Sequence, residues 1–165
     1  MALSEDQFNA LVDAHGPTLY RVAYRLVGDP HESEDLVQET FRSAWTSRER
    51  YESHRGDRAW LISILRRRAV DRWRRRPRWS LTTESGASEP IAVTPPPAID
   101  GYTDEMQTAL NALPLELRET ILLVVVGELT HREAAEVLEI PLGTVLSRVS
   151  RARERLREYL VAARA

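Results

Sequence analysis

The sequence predicts an all-α chain, two small helical domains joined by a flexible linker, and three observations carry that prediction. On both sides of the chain's middle, apolar residues recur at three- and four-residue steps, the spacing that gathers them on one helix face. Glycine is scarce, 7 of 165 residues, and no segment calls for a strand. Between the two helical stretches, residues 79–103 (WSLTTESGASEPIAVTPPPAIDGYT) break the pattern with Ser, Thr, Gly and a Pro triplet, the composition of an extended tether. The domains are therefore drawn at 1–78 and 104–165.

The first helix is set by Phe8, Leu11, Val12, His15, Leu19, Val22 and Leu26, which share one face, and it should end near Gly28. His15 on that stripe reads as a core or boundary residue rather than a ligand. Asp29 as cap, Pro30 at the first helical position and Glu32 at the third open a second helix running to about Ser47. A third spans roughly Arg58 to Arg76, with Trp60, Leu61, Ile64, Leu65, Ala69 and Trp73 as its apolar positions and Pro77 as its stop. Beyond the tether, Met106, Leu110 and Leu113, then Leu117, Ile121, Leu122 and Val125, predict two helices parted at Pro114. The run ILLVVV at 121–126 is β-branched enough to suggest a strand, but the helical lead-in and spacing favour a buried helix.

Thr130 and Glu133 form a capping box for a helix carrying Ala134, Ala135, Val137 and Leu138, which turns around residues 139–141. In the helix that follows, Val145, Val149, Ala152 and Leu156 lie in one narrow sector. Ser147, Ser150, Arg151 and Glu154 fall opposite, with Leu146 and Arg148 on the shoulders. This is the pattern of a helix-turn-helix whose second helix can enter a major groove, although an ordinary helical hairpin would show much of it.

Charge is segregated in a way the formal net of −2 conceals. All 23 basic residues are Arg. Ten fall between Arg55 and Arg78 against Asp57 and Asp71, and six follow from Arg148 onward against Glu154 and Glu158. Asp29 to Glu39 instead carries five acids and no Arg. Two basic patches suggest two contacts with a polyanion, and the acidic stretch a surface kept away from it. No cysteine is present, so disulfides, thiolate nucleophiles and sulfur-ligated zinc are excluded. There is no signal-peptide pattern at the N-terminus and no apolar run long enough for a membrane span, so a cytoplasmic chain without membrane insertion is expected.

On the second helix Asp35, Gln38, Glu39 and Arg42 lie at i, i+3, i+4 and i+7 and form a polar stripe, while Leu36, Val37, Phe41 and Ala44 face inward. The third helix combines Arg66, Arg67, Arg68, Arg72, Arg74, Arg75 and Arg76 with Trp60, charge and aromatic surface of the kind that holds separated strands. Trp60 itself reads as core, since Leu61 and Ile64 extend its apolar face.

Residues 113–156 (LPLELRETILLVVVGELTHREAAEVLEIPLGTVLSRVSRARERL) resemble region 4 of the extracytoplasmic-function sigma factors, and DPHESEDLVQETFRSAW with RGDRAWLISILRRRAVDRWRRR in 29–76 resembles region 2. A helix-turn-helix alone is shared by many regulators; the DLVQETF helix is what points to polymerase. The resemblance implies a factor that binds core RNA polymerase, through the β′ clamp helices and the β flap, and directs it to promoter DNA under the control of an anti-sigma factor. It assigns Asp35, Gln38, Glu39 and Arg42 to the polymerase. Trp60, Arg66, Arg67, Arg68, Arg72 and Arg75 fall to the minus 10 element, with the loop 52–58 capturing a flipped base. Thr144, Leu146, Ser147, Arg148, Ser150 and Arg151 fall to the minus 35 element. Neither a catalytic residue nor a metal or other cofactor is implied.

The sequence departs from the family pattern at three residues and in the stretch between Gly56 and Trp60, which is short. Arg67 stands where many relatives carry Asn, Glu139 where they often have Gly, and Leu146 where Lys or Arg is usual. Leu146 gives up a possible phosphate contact but could touch a thymine methyl. Two rival functions compete with this reading. A two-domain regulator that never joins polymerase would need an effector domain, and residues 1–78 show no strand-helix alternation for one. A metal-dependent hydrolase using Glu32, Asp35 and Glu39 with His31 lacks any supporting motif.

Overall fold

The computed structural model describes residues 2–52, 56–75 and 103–164. The chain runs through α1 (Glu5–Val27), α2 (Pro30–Thr46), a 3₁₀ turn (Arg48–Arg50) and α3 (Asp57–Arg75), then α4 (Asp104–Ala112), α5 (Leu115–Val125), α6 (His131–Leu138) and α7 (Leu142–Ala163). Among the described residues there is no strand, and the β-branched run at 121–126 is helical up to Val125. The tether expected over 79–103 lies outside the described residues except for Thr103, as does the Pro77 stop. Thr103 belongs to the second domain's first helix, because its side chain caps α4 by accepting from the Met106 amide.

The helix ends follow local chemistry. Ser4 and Gln7 close a capping box on α1, and Gly28 ends it with φ of 80°, a left-handed conformation that glycine adopts without a Cβ clash. At the start of α2 the Asp29 carboxylate accepts from the Glu32 amide, with Pro30 in the first turn. Thr130 and Glu133 close the predicted box on α6. Glu139, its C-cap, stands at φ of 57°, so the residue at the usual glycine position does carry left-handed strain, about 1 kcal/mol. Glu128 shares this strain with φ of 56° in the turn between α5 and α6.

The helices α1, α2 and α3 pack on one another, and α4, α5 and α6 pack around α7. Leu19, Leu36, Leu61, Ile62 and Leu65 are fully buried in the first group, Leu122 and Val145 in the second. Each such side chain contributes about 1.5–3 kcal/mol relative to exposure. The two groups also pack against each other, with α3 on α6 and α1 on α5, so that one apolar cluster runs through both. Polar contacts line that boundary. Arg66 of α3 pairs with Glu119 of α5, whose residue surface is only 7% exposed. Arg58 reaches the Glu128 carboxylate at 3.3 Å and its carbonyl at 3.4 Å. Arg25 donates to Gln107 at 2.8 Å, and Gln107 donates back to the Arg25 carbonyl at 3.2 Å. Glycine is required at one point here: a Cβ on Gly127 would stand 2.7 Å from the Leu123 carbonyl oxygen and 3.0 Å from Ile62 Cδ1 across the boundary. No helix among the described residues is long and apolar enough to cross a membrane.

Candidate nucleic-acid interface

The outward face of α2 carries Asp35, Gln38 and Arg42 as exposed side chains and Glu39 half-buried, while Leu36 and Ala44 are buried and Val37 and Phe41 pack against the core beneath. The stripe is thus brought together as its spacing predicts, with one qualification of geometry. Glu39 faces α3, where Arg72 donates from Nη2 at 2.9 Å and from Nε at 3.3 Å in a bidentate pair. The hydrogen bond from Arg72 holds the Glu39 carboxyl below the usual carboxylate range, against the opposing effect of its partial burial. Arg72 also donates to the Glu32 carbonyl at 3.3 Å.

The basic helix α3 therefore does not offer its arginines as one surface. Arg72 ties it to α2, and Arg66 is engaged by Glu119 of α5. Arg67, Arg68 and Arg75 instead line a groove between α2 and α3 of about 470 Å³, together with Arg42 and Arg50. Trp60 is partly buried, packed on the core and edge-on to Tyr51 with ring centroids 5.0 Å apart. Its indole serves packing in this arrangement, and the Tyr51 hydroxyl donates to Asp57 at the start of α3. The loop expected to capture a base, 52–58, lies partly outside the described residues.

On α7 the predicted division holds. Val145, Val149, Ala152 and Leu156 are buried, whereas Leu146, Ser150 and Arg151 are exposed, Leu146 at 49%. Thr144, Ser147 and Arg148 are half-buried. The Ser147 hydroxyl donates back to the Thr144 carbonyl at 3.1 Å, and Arg148 lies 3.7 Å from the Glu116 carboxylate. Of the six side chains expected at the minus 35 element, the fully exposed ones are thus Leu146, Ser150 and Arg151. Among the described residues no three His, Asp or Glu side chains gather as a metal site would require.

The chain matches the Sigma-70 region 2 family over residues 11–78 and the Sigma-70 region 4 family over residues 103–156. It is 32% identical to the ECF RNA polymerase sigma factor SigW of Bacillus subtilis, over 94% of this chain and 90% of that protein. The chain belongs to the ECF family of RNA polymerase sigma factors. A sigma factor binds core RNA polymerase and directs it to promoters, and those two are this chain's partners. SigE of Mycolicibacterium smegmatis is 34% identical over 93% of this sigma factor but only 61% of its own length. Among solved structures, the sigma factor RpoE in complex with the anti-sigma factor NepR from Bartonella quintana superposes with a TM-score of 0.80 at 33% identity, covering 95% of this sigma factor and 98% of RpoE. CnrH in complex with the cytosolic domain of CnrY superposes at 0.71 and 28% identity, covering 96% of this sigma factor and 90% of CnrH.

Sequence reasoning missed Arg50, which joins the basic groove from the 3₁₀ turn, and Glu119 and Glu128, which engage α3 from the other half of this sigma factor. The last two had no local signal, since their partners lie 53 and 70 residues away in sequence.

Proposed function

We propose that the two helical domains divide promoter recognition by element. The first, about residues 1–78, binds core polymerase through Asp35, Gln38, Glu39 and Arg42 at the β′ clamp helices, and holds the minus 10 element along α3 with Arg67, Arg68 and Arg75, which Trp60, Arg66 and Arg72 join once their contacts within the molecule open. The second, about residues 104–165, contacts the β flap and reads the minus 35 element with α7, where Leu146, Ser150 and Arg151 face the bases and Thr144, Ser147 and Arg148 flank them. The observation that carries this reading is the split of α7 into a buried apolar sector and an exposed face of Leu146, Ser150 and Arg151 near its start. Control by an anti-sigma factor is supported by the complex of RpoE with the anti-sigma factor NepR, since RpoE is similar to this chain over 95% of this chain. The chain works in the cytoplasm beside its polymerase and catalyses no reaction of its own.

The test is initiation by core polymerase with this chain on a library of promoter sequences, repeated with Arg151→Ala. The substitution is expected to weaken promoter binding by about 1–3 kcal/mol and relax preference at one position of the minus 35 element. Equal weakening on every sequence would make Arg151 a phosphate contact, and no effect on any duplex would remove α7 as the reader.

A further inference from the structure

Two arginines of α3 are held by carboxylates of other helices, Arg66 by Glu119 of α5 and Arg72 by Glu39 of α2, and the two pairs differ in what can open them. Arg66 bridges the two halves of the molecule, so parting the halves frees it. Arg72 and Glu39 both belong to the first half. Their bidentate pair, with a third bond from Arg72 to the Glu32 carbonyl at 3.3 Å, is untouched by any movement between the halves. Whatever opens it has to arrive at Glu39 itself. That carboxylate can be reached: its side chain is 44% exposed, against 9% for Glu119, and it shares its helix face with the exposed Asp35 one turn earlier. Positive charge around it is already in excess, because Arg42 and Arg68 act on the same carboxylate as Arg72. A further cation drawn in by Asp35 and Glu39 meets three guanidinium groups, and repulsion disfavours keeping all of them there.

We infer that Arg72 is an exchangeable counter-ion: Glu39 holds it in the free protein, and a cationic side chain of core polymerase that takes Glu39 releases it to a DNA phosphate, so that one ion pair couples the two binding events. The inference rests on the sigma-factor reading and adds a link between its two surfaces. Once released, Arg72 joins its neighbours on α3. It lies four residues after Arg68 and three before Arg75, so the three guanidinium groups share one helix face. The size of the coupling follows from the pair. A ligand shifts an equilibrium only by its differential affinity for the two states, and a part-exposed ion pair is worth little, so the coupling reaches about fivefold at most. Coupling is also reciprocal: DNA strengthens the hold on polymerase by the factor by which polymerase strengthens the hold on DNA.

The first arm of the test uses the full chain without polymerase and a fluorescein-labelled oligo-dT single strand, followed by anisotropy between about 50 and 200 mM salt. Glu39→Gln is expected to free Arg72 and steepen the slope of log affinity against log salt by about 0.7, one further phosphate neutralised. Glu34→Gln removes an equal charge from an exposed position of the same helix and is expected to leave the slope as it was. In a chain that already carries Arg72→Gln, Glu39→Gln is expected to add nothing. A slope unmoved by Glu39→Gln overturns the inference. So does a gain that persists without Arg72 or that Glu34→Gln reproduces, since either makes it a general effect of charge. In the second arm, saturating oligo-dT is expected to tighten binding of the unsubstituted chain to core polymerase by up to about fivefold more than binding of Arg72→Gln. Equal tightening of both overturns the coupling. If the unsubstituted chain does not bind core at all, the sigma-factor reading itself fails, whereas the polymerase-free slopes depend on Arg72 alone, so the two failures are told apart.

Discussion

His15 sits half-buried on α1, within electrostatic reach of Arg58 and Asp57 at the start of α3. Burial is the larger cause that holds its imidazole below the ordinary value of 6.5; Arg58 adds to the effect and Asp57 opposes it. A histidine depressed in the folded state binds fewer protons there than in the unfolded chain. Its contribution to stability is therefore complete above about pH 6.5 and is lost as the pH falls through the folded-state value. The urea midpoint is expected to drop as the pH falls below about 6.5, and His15→Gln is expected to remove that part of the drop. A variant with the same pH profile would show that His15 is not its source. Glu39 works in a lower window: its depressed carboxyl contributes stability above the ordinary carboxylate range and loses it as the pH falls through its own value.

The turn from α5 into α6 shows what an element can owe to residues far away in sequence. Gly127 packs so closely on the Leu123 carbonyl and Ile62 that Gly127→Ala should destabilise the protein by about 1–3 kcal/mol, the usual range for overpacking, read as a lower urea midpoint. An unaltered midpoint would mean that the turn yields freely. Every described α-helix was legible in the sequence, because apolar spacing and caps such as Asp29 and Thr130 act within a few residues. The α7 face and the α2 stripe were legible for the same reason. The fate of individual arginines was not: those of α3 look equivalent in sequence, yet Arg66 turns to Glu119, Arg72 to Glu39, and Arg67 to the groove. Those choices depend on which helix packs opposite, and periodicity carries no record of that.

The packing of α3 on α6 and of α1 on α5 joins the two halves of the molecule, and Glu119 is the most deeply buried acid at that boundary. Glu119→Gln removes the carboxylate that neutralises Arg66 and is expected to loosen the halves, seen as a larger radius of gyration in solution scattering. Scattering identical to that of the unsubstituted chain would show that apolar contact alone holds the boundary. The same packing has a consequence in plain lengths. Promoter elements named for positions 35 and 10 are about 25 base pairs apart, roughly 85 Å of duplex at about 3.4 Å per step. A folded chain of this size is only about 40 Å across. One molecule in this arrangement cannot touch both elements, whereas the 25 residues from 79 to 103, drawn out at about 3.4 Å each, allow a separation of up to about 85 Å. If the two halves read the two elements as proposed above, initiation requires them to part, and every contact between them counts against it. Substitutions that tighten the boundary should raise the melting temperature while slowing the first transcript.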